Sequence, residues 1–500
     1  MSILQNKWIV LGFILTAAIA IISNDFLIKP TIWSDEGLVI QLGRNLAEKG
    51  VVQMAVSPND FSANRQYYTS SVGWVLPTSL AVVFKIFGAS FFNARFLMSF
   101  YLLGFVAVVF LLMKRMYGLK TAVLSSLLLI SFAPLYGNGK SALGEAPAMF
   151  WLALGLYFYE IFRQKPMLQS VFSGFGFGLF FASKPAFLIL GLPILFLIHL
   201  FSFYKKTFSF KWLAFFWVVV FLLILPTIWF GSIHPLNMEN ILKTFSHYSN
   251  NFRSPCVSCD IKSNLFLFLT SATLWHLEFL SAVAVVYLIF VKRKIIQKDW
   301  RVQWLIIFGV FNLVYFIKST GVFRYFFPLQ IILLVSLPIF LKGFLEKINL
   351  KWLKVSYLLT MFLVVIQFIH LFWFATMYHS SGPVELEKYI NKEILPTNAV
   401  VGIIGAPVAA AALSAGRYFQ LVQFVTNESY GIIDGVNALD LPEQNLPEYI
   451  IYTEPYFVFN TDAGYYKKRI NDFYNTAAVF REYNVMKKKT CSGNVNTCKI

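Results

Sequence analysis

The sequence predicts a polytopic α-helical membrane protein of about eleven transmembrane helices, with juxtamembrane helices at its outer surface and a small C-terminal extracytoplasmic α/β domain. Three observations lead there. Of 500 residues, 58% are apolar, 18% aromatic and only 13% charged, against about a quarter charged in ordinary soluble domains. The mean hydropathy is +0.65, and runs of Leu, Phe, Ile and Val recur from Trp8 to Phe374 at lengths near the roughly 20 residues that cross a bilayer. The excess of 42 basic over 24 acidic residues, a formal charge of +18, gathers in short loops between those runs. That is the positive-inside pattern, so the charge reports orientation and does not call for a nucleic-acid partner.

In chain order, the expected spans are 8–27, 93–113, 121–136, 146–162, 170–183, 186–204, 212–231, 266–291, 302–317, 325–341 and 353–377. Met1 to Lys7 carries one Lys and no small-residue cleavage site precedes Asn24, so the first run is expected to serve as its own insertion signal. Residues 73–88 are apolar but only sixteen long, and they carry Lys85. Counted as non-spanning, they leave the loop lysines and arginines from Lys114 to Lys354 on the cytoplasmic side with Lys7; counted as a span, they throw those residues outside. Residues 73–88 are therefore expected to be a helix lying on the outer surface.

This parity puts the N-terminus inside and divides the chain into a transmembrane domain, 1–377, and an extracytoplasmic domain, 378–500. The outer loops of the first part are 28–92 and 232–265. In the C-terminal part, strand-like runs at 399–404 and 449–453 alternate with helical patterns at 384–394 and 408–415. All four cysteines, Cys256, Cys259, Cys491 and Cys498, fall in segments expected outside, where disulfides form. Pairing of neighbours is the simplest of three connectivities. Zinc is the rival reading of Cys256 and Cys259, but the second pair lacks metal-ligand spacing and no metal is expected.

Candidate chemistry gathers at the outer face. Asp35 and Glu36 lie a few residues beyond the first span, at the start of an amphipathic pattern through Leu38, Val39, Leu42 and Leu46. Ser34 capping that helix, with acids in its first turn, is the ordinary structural reading. Glu145 opens the fourth span at the same face, with Lys140 and Lys184 also there. Arg324 and Tyr325 precede the tenth span; an Arg suits bidentate contact with phosphate, and both residues equally suit the interface. His276 and Glu278 are ionisable groups near the outer end of a long apolar run. No Gly-rich phosphate loop, nucleophile elbow or zinc-protease motif is present.

The order of these residues resembles the GT-C glycosyltransferases, especially the branch of protein O-mannosyltransferases and lipid A aminoarabinose transferases. The resemblance runs from Asp35-Glu36 through Arg65-Gln66-Tyr67-Tyr68, Trp74-Val75-Leu76-Pro77, Lys85-Ile86-Phe87-Gly88, Asn93-Ala94-Arg95-Phe96, Glu145 and Lys184-Pro185 to Arg324-Tyr325 with Pro328, covering roughly residues 1–345. It implies a GT-C-like fold in the plasma (inner) membrane. It also implies inverting transfer of a sugar from an undecaprenyl- or dolichyl-phosphate donor to a hydroxyl or phosphate of a glycan, lipid or protein acceptor, with no cofactor required. Asp35 would be the catalytic carboxylate with Glu36 beside it, and Glu145 would stand at the second acidic position, where the family more often has Asp. Arg324, Tyr325, Lys184 and Arg65 would bind the lipid phosphate. A carboxylate to accept the acceptor's proton and cations to meet the departing phosphate are what such a transfer needs. A transporter or flippase for a lipid-linked saccharide is the alternative, but such proteins carry charges at mid-membrane and inverted repeats, and neither pattern is evident here.

Overall fold

The computed structural model describes residues 6–61, 73–205, 209–231, 257–270, 275–290, 299–318, 323–348, 353–375, 379–423, 433–453 and 463–489. In chain order the helices of the first part are α1 Lys7–Ser23, α2 Ser34–Lys49, α3 Val75–Phe87, α4 Phe91–Tyr117, α5 Leu119–Ile130, α6 Ala133–Gly139, α7 Glu145–Ile161, α8 Pro166–Ser183, α9 Pro185–Tyr204 and α10 Phe210–Gly231. There follow α11 Val257–Thr270, α12 Trp275–Phe290, α13 Trp300–Lys318, α14 Phe327–Ile348, α15 Leu353–Ile369, α16 Gly382–Tyr389, α17 Pro407–Ala412 and α18 Ala463–Phe473. The strands are β1 Ala55–Ser57, β2 Asp60–Phe61, β3 Val401–Ile404, β4 Tyr418–Gln423, β5 Ile433–Gly435, β6 Tyr449–Thr453, β7 Tyr474–Phe480 and β8 Tyr483–Lys488.

Each run expected to span is occupied largely by helix, though not always by one helix of spanning length. Among the described residues, six helices are long and apolar enough to cross a membrane: Phe91–Tyr117, Pro185–Tyr204, Phe210–Thr227, Trp300–Lys318, Phe327–Leu345 and Lys354–Phe374. The pair α5 and α6, bent by 65°, would make a seventh. Helices α1 and α7 have 17 residues, about 25 Å of rise against a hydrocarbon core near 30 Å. The run 266–291, expected as a span, carries α11 up to Thr270 and α12 from Trp275, and residues 271–274 between them lie outside the described residues. Residues 73–88 form the separate amphipathic helix α3.

The described residues fall into two compact units. One comprises Met1–Asn24, Ser70–Val75 and Met98–Thr376. Its centre is aromatic: Phe177, Phe180 and Phe181 of α8 meet Trp304 of α13 with ring centroids 5.3–6.3 Å apart, and Trp304 stacks on Phe308 at 4.9 Å. The Trp304 indole donates to the Gly191 carbonyl at 2.9 Å, so α9 joins the same cluster with its one polar group satisfied. Where α7 ends and α13 begins, Arg301 binds both Glu160 and Asp299, which makes its guanidinium tolerable in a half-buried place.

The other unit comprises Asp25–Thr69, Leu76–Leu97 and Met377–Ile500. It holds a six-stranded sheet of order β5-β4-β3-β6-β8-β7, with β3 parallel to β4 and to β6 and the remaining pairs antiparallel. All four residues of β3 are buried, as a central strand covered on both faces requires. Ile404, Ile450, Met486 and Ile470 of α18 share one core. Helix α2 packs on α17 so closely that a Cβ at Gly37 would lie 2.9 Å from the Val408 nitrogen. Gln41 of α2 donates to Tyr418 and, at 2.8 Å, to Gln420, both on β4. The Asn59 N–H donates to the Ala415 carbonyl, and the Ser380 N–H to that of Ile28. The first loop and the C-terminal segment are thus one folded body.

Arg95 and Glu36 are the deepest charges among the described residues of this unit, and Arg95 anchors the pair. It is fully buried and donates from Nε and Nη2 to the two carboxylate oxygens of Glu36, at 3.0 and 2.9 Å, and from Nη1 to the carbonyls of Phe26 and Pro30. Glu36 is equally buried, so each charge exists there only because of the other. Arg95→Met should lower stability by about 3–5 kcal/mol, the cost of stranding a buried charge, and Arg95→Met with Glu36→Met should recover much of it; apparent unfolding midpoints in detergent check both.

Glu387 of α16 accepts the Phe91 N–H, one of the unpaired donors at the start of α4, at 3.0 Å. Burial raises its carboxyl above the usual range, opposed by that N–H and by Arg44. An acid with a raised folded pKa keeps its proton longer folded than unfolded, so its contribution to stability is complete at low pH and is lost as pH rises. Glu387→Gln keeps an oxygen acceptor and removes the charge. Its unfolding midpoint should exceed that of the parent near pH 7.5, and the difference should vanish near pH 4.

Candidate functional site

The site residues expected from the sequence lie in both units. In the sheet-bearing unit, Ser34 was expected as the cap of α2. It is instead the first helical residue: Trp33 holds the cap position without a side-chain cap hydrogen bond. The carboxylates of Asp35 and Glu36 therefore sit in the first turn, where the helix dipole favours negative charge. Successive helical residues point about 100° apart, so the two acids have different surroundings. Glu36 is turned fully inward onto Arg95, whereas Asp35 remains half-exposed. Arg95 was read only as part of the Asn93-Ala94-Arg95-Phe96 motif, with no role of its own. The signal was present: an arginine in the second turn of a long apolar helix must meet a counter-charge.

In the helical unit, Glu145, Lys184 and Arg324 come together. Lys184 stands between α8 and α9. Pro185 forces the residue before it out of helical conformation, and Lys184 is extended at φ −147°, ψ 102°. That break ends α8, starts α9 and fixes where the ammonium begins. Two glycines admit the neighbouring chain. A Cβ at Gly144 would lie 2.4 Å from the Ser183 carbonyl oxygen and 3.2 Å from Lys184 Cδ, and a Cβ at Gly73, whose φ is +71°, would lie 2.0 Å from the Ala182 carbonyl oxygen.

Glu145, the first residue of α7 and 1% exposed, meets Lys184 Nζ at 3.0 Å. Its carboxylate also feels the charge of Arg324. Arg324 and Tyr325 belong to a single 3-10 turn, Phe323–Tyr325, held by the buried Phe326 and Phe327 beyond it. The guanidinium lies 5.4 Å from the Tyr325 ring centre, and that ring packs 4.7 Å from Tyr315 of α13. Lys184 and Arg324 thus both bring positive charge to bear on one buried carboxylate, and the Tyr325 ring lies beside the guanidinium.

Other expectations fare differently. Lys140 is buried and donates to the Asn24 carbonyl at 3.0 Å, which ties down the end of α1. His276 is buried with its ring against Phe132, beside a small cavity that Ser131, Gln367 and His370 also line. Arg65, Cys256, Cys491 and Cys498 lie outside the described residues, as does the side chain of Cys259. Among the described residues no group of three or more His, Cys, Asp or Glu is arranged to hold a metal ion.

Residues 72–230 match the family model of dolichyl-phosphate-mannose-protein mannosyltransferases. No curated protein sequence matches the chain significantly. Among solved structures, ArnT from Cupriavidus metallidurans in its apo state is 12% identical with a TM-score of 0.59; the match covers 95% of this chain and 97% of that one. The archaeal oligosaccharyltransferase AglB from Archaeoglobus fulgidus, solved with an inhibitory peptide and a dolichol-phosphate, is 11% identical with a TM-score of 0.59, covering 98% of this chain and 75% of its own. The chain thus shares the fold of ArnT and AglB over nearly its whole length, and residues 72–230 carry the match to the mannosyltransferase family model.

Proposed function

We propose that the protein is an inverting glycosyltransferase that takes a hexose or pentose from a polyprenyl-phosphate donor, undecaprenyl- or dolichyl-linked. The acceptor is a hydroxyl or phosphate of an extracytoplasmic glycan, lipid or protein. The observation that carries this reading is the buried ion pair of Lys184 with Glu145, on which Arg324 also acts electrostatically, with Tyr325 beside Arg324. Cations held in a low-dielectric setting beside apolar helices suit an anion that is itself attached to a lipid. The dolichol-phosphate bound by AglB is a ligand of that chemistry.

In the proposed reaction the acceptor oxygen attacks the anomeric carbon as Asp35 takes its proton. The bond from that carbon to the phosphate oxygen breaks, and its electron pair leaves with the lipid phosphate. Lys184, Arg324 and Tyr325 stabilise the departing phosphate, and Arg65 is assigned to the same task. Glu36, engaged by Arg95, positions the first turn of α2; Glu145 serves as the second carboxylate. No cofactor is required by this scheme. The accompanying topology is eleven crossings in the plasma membrane with a cytoplasmic N-terminus, the transmembrane domain at 1–377 and an extracytoplasmic domain at 378–500, with its cysteines disulfide-bonded.

The test uses the full chain in nanodiscs with a panel of farnesyl-phosphate hexoses and pentoses, following release of farnesyl phosphate. Asp35→Asn should lower turnover by about 10²–10⁴-fold, the usual worth of a general base, with donor affinity retained. Lys184→Met and Arg324→Met should each weaken donor binding by about 10–100-fold, as expected for a charge-assisted contact. Near-normal turnover of Asp35→Asn would remove it as the base. Lipid-linked sugar crossing vesicles without transfer would favour a flippase instead.

A further inference from the structure

A general base takes a proton only from within hydrogen-bond reach, and the first turn of α2 is built to hold Asp35 in one place. Successive helical residues point about 100° apart, so Asp35, Glu36 and Gly37 divide the circumference of that turn among them. Glu36 is fixed on Arg95 by two hydrogen bonds. Gly37 faces α17. A Cβ there would lie 2.9 Å from the Val408 nitrogen and 3.0 Å from both the Pro407 carbonyl carbon and Val408 Cα. All three are backbone atoms, so no side-chain rotation would relieve the overlap. Glycine weakens a helix relative to alanine, and this approach of one backbone to another is the reason for one here.

The surface that Gly37 meets is itself well anchored. Helix α17 follows the central strand β3 after only Gly405 and Ala406, opens with Pro407, and is buried from Val408 to Ala412. Its alanines leave α2 room to lie against it. Farther along α2, Gln41 donates to Tyr418 and Gln420 of β4, and Arg44 donates to the Ala411 carbonyl at 3.2 Å. The helix that carries Asp35 is thus seated on the C-terminal segment at successive turns, with the backbone approach at Gly37 two residues from the carboxylate.

Resting on the reading of Asp35 as the base, we infer that α17 is the stop against which the first turn of α2 seats, and that Gly37 is the positioning residue that sets where the Asp35 carboxylate stands. The C-terminal domain then takes part in transfer through α2. A methyl group at Gly37 must move the start of α2 by about half an ångström or more before ordinary contact, about 3.5–4.0 Å between carbons, is restored. That movement carries the carboxylate with it.

The test is a double-mutant cycle on the full chain in nanodiscs, with turnover expressed per farnesyl phosphate binding site so that loss of folded protein does not count. Gly37→Ala should lower kcat by about tenfold, a fraction of the roughly 10²-fold that 1 Å of misplacement costs, with farnesyl phosphate affinity retained. In the Asp35→Asn background, where there is no base to misplace, the same substitution should change the residual kcat by less than about twofold, because residues acting through one function are not additive. Gln41→Met unties α2 from β4 without crowding it and is the second variant should Gly37→Ala fail to fold. It should lower kcat about threefold or more in the parent and leave Asp35→Asn unchanged. Equal falls with and without Asp35, or parental kcat per site in the variants that fold, overturn the inference. Near-normal turnover of Asp35→Asn instead overturns the reading on which it rests.

Discussion

An ion taken out of water survives in this protein only where an opposite charge meets it, and the two units are arranged around such meetings. Arg95 and Glu36 are each completely buried, and their pair joins the start of α4 to the first turn of α2 and the loop ahead of it. Lys184 and Glu145 do the same for the start of α7 and the break between α8 and α9. Arg301 with Glu160 and Asp299 repeats the device at the far end of α7, about 23 Å along the helix. Hydrophobic packing brings these helices together in many registers at similar cost. A buried pair tolerates only one, because a slip of one turn would strand two charges.

The second constraint is steric. The backbone at 182–184 is approached from two sides by residues without a side chain, Gly73 and Gly144, and the proline after it leaves Lys184 one backbone conformation. Beneath it the aromatic cluster of α8, α9 and α13 is packed too tightly to yield: a Cβ at Gly191 would lie 3.0–3.2 Å from Phe181, Phe308 and Trp304. The ammonium is therefore directed by a rigid base, which is the condition for a cation to bind without first being ordered.

Much of this was legible beforehand, and for identifiable reasons. Apolar runs are long and their signal adds up, so the helices of the membrane part could be read from composition, as could α3 from its length and Lys85. The carboxylates and cations stood out because charges in apolar sequence are rare. What could not be read was pairing. The sequence offers Lys140 and Lys184 as equal candidates near Glu145, yet Lys140 donates to the Asn24 carbonyl and Lys184 pairs with the acid. Adjacent Asp35 and Glu36 looked alike, and only three-dimensional packing sends one of them inward. The role of Ser34 was misjudged because the chain enters α2 one residue earlier than capping chemistry suggests.

The stitching of α2 and the first loop to the C-terminal sheet has a consequence for the making of the protein. Gln41 finds its partners on β4, nearly four hundred residues later in the chain, and the Ile28 carbonyl meets Ser380. The segment that carries Asp35 is thus synthesised early but lacks the surface it folds against until the last quarter of the chain has emerged. Contacts so distant in sequence form slowly and late. Maturation of this segment is therefore timed by the end of translation, and a ribosome that stalls after the membrane helices releases a chain whose first loop has nothing to fold upon.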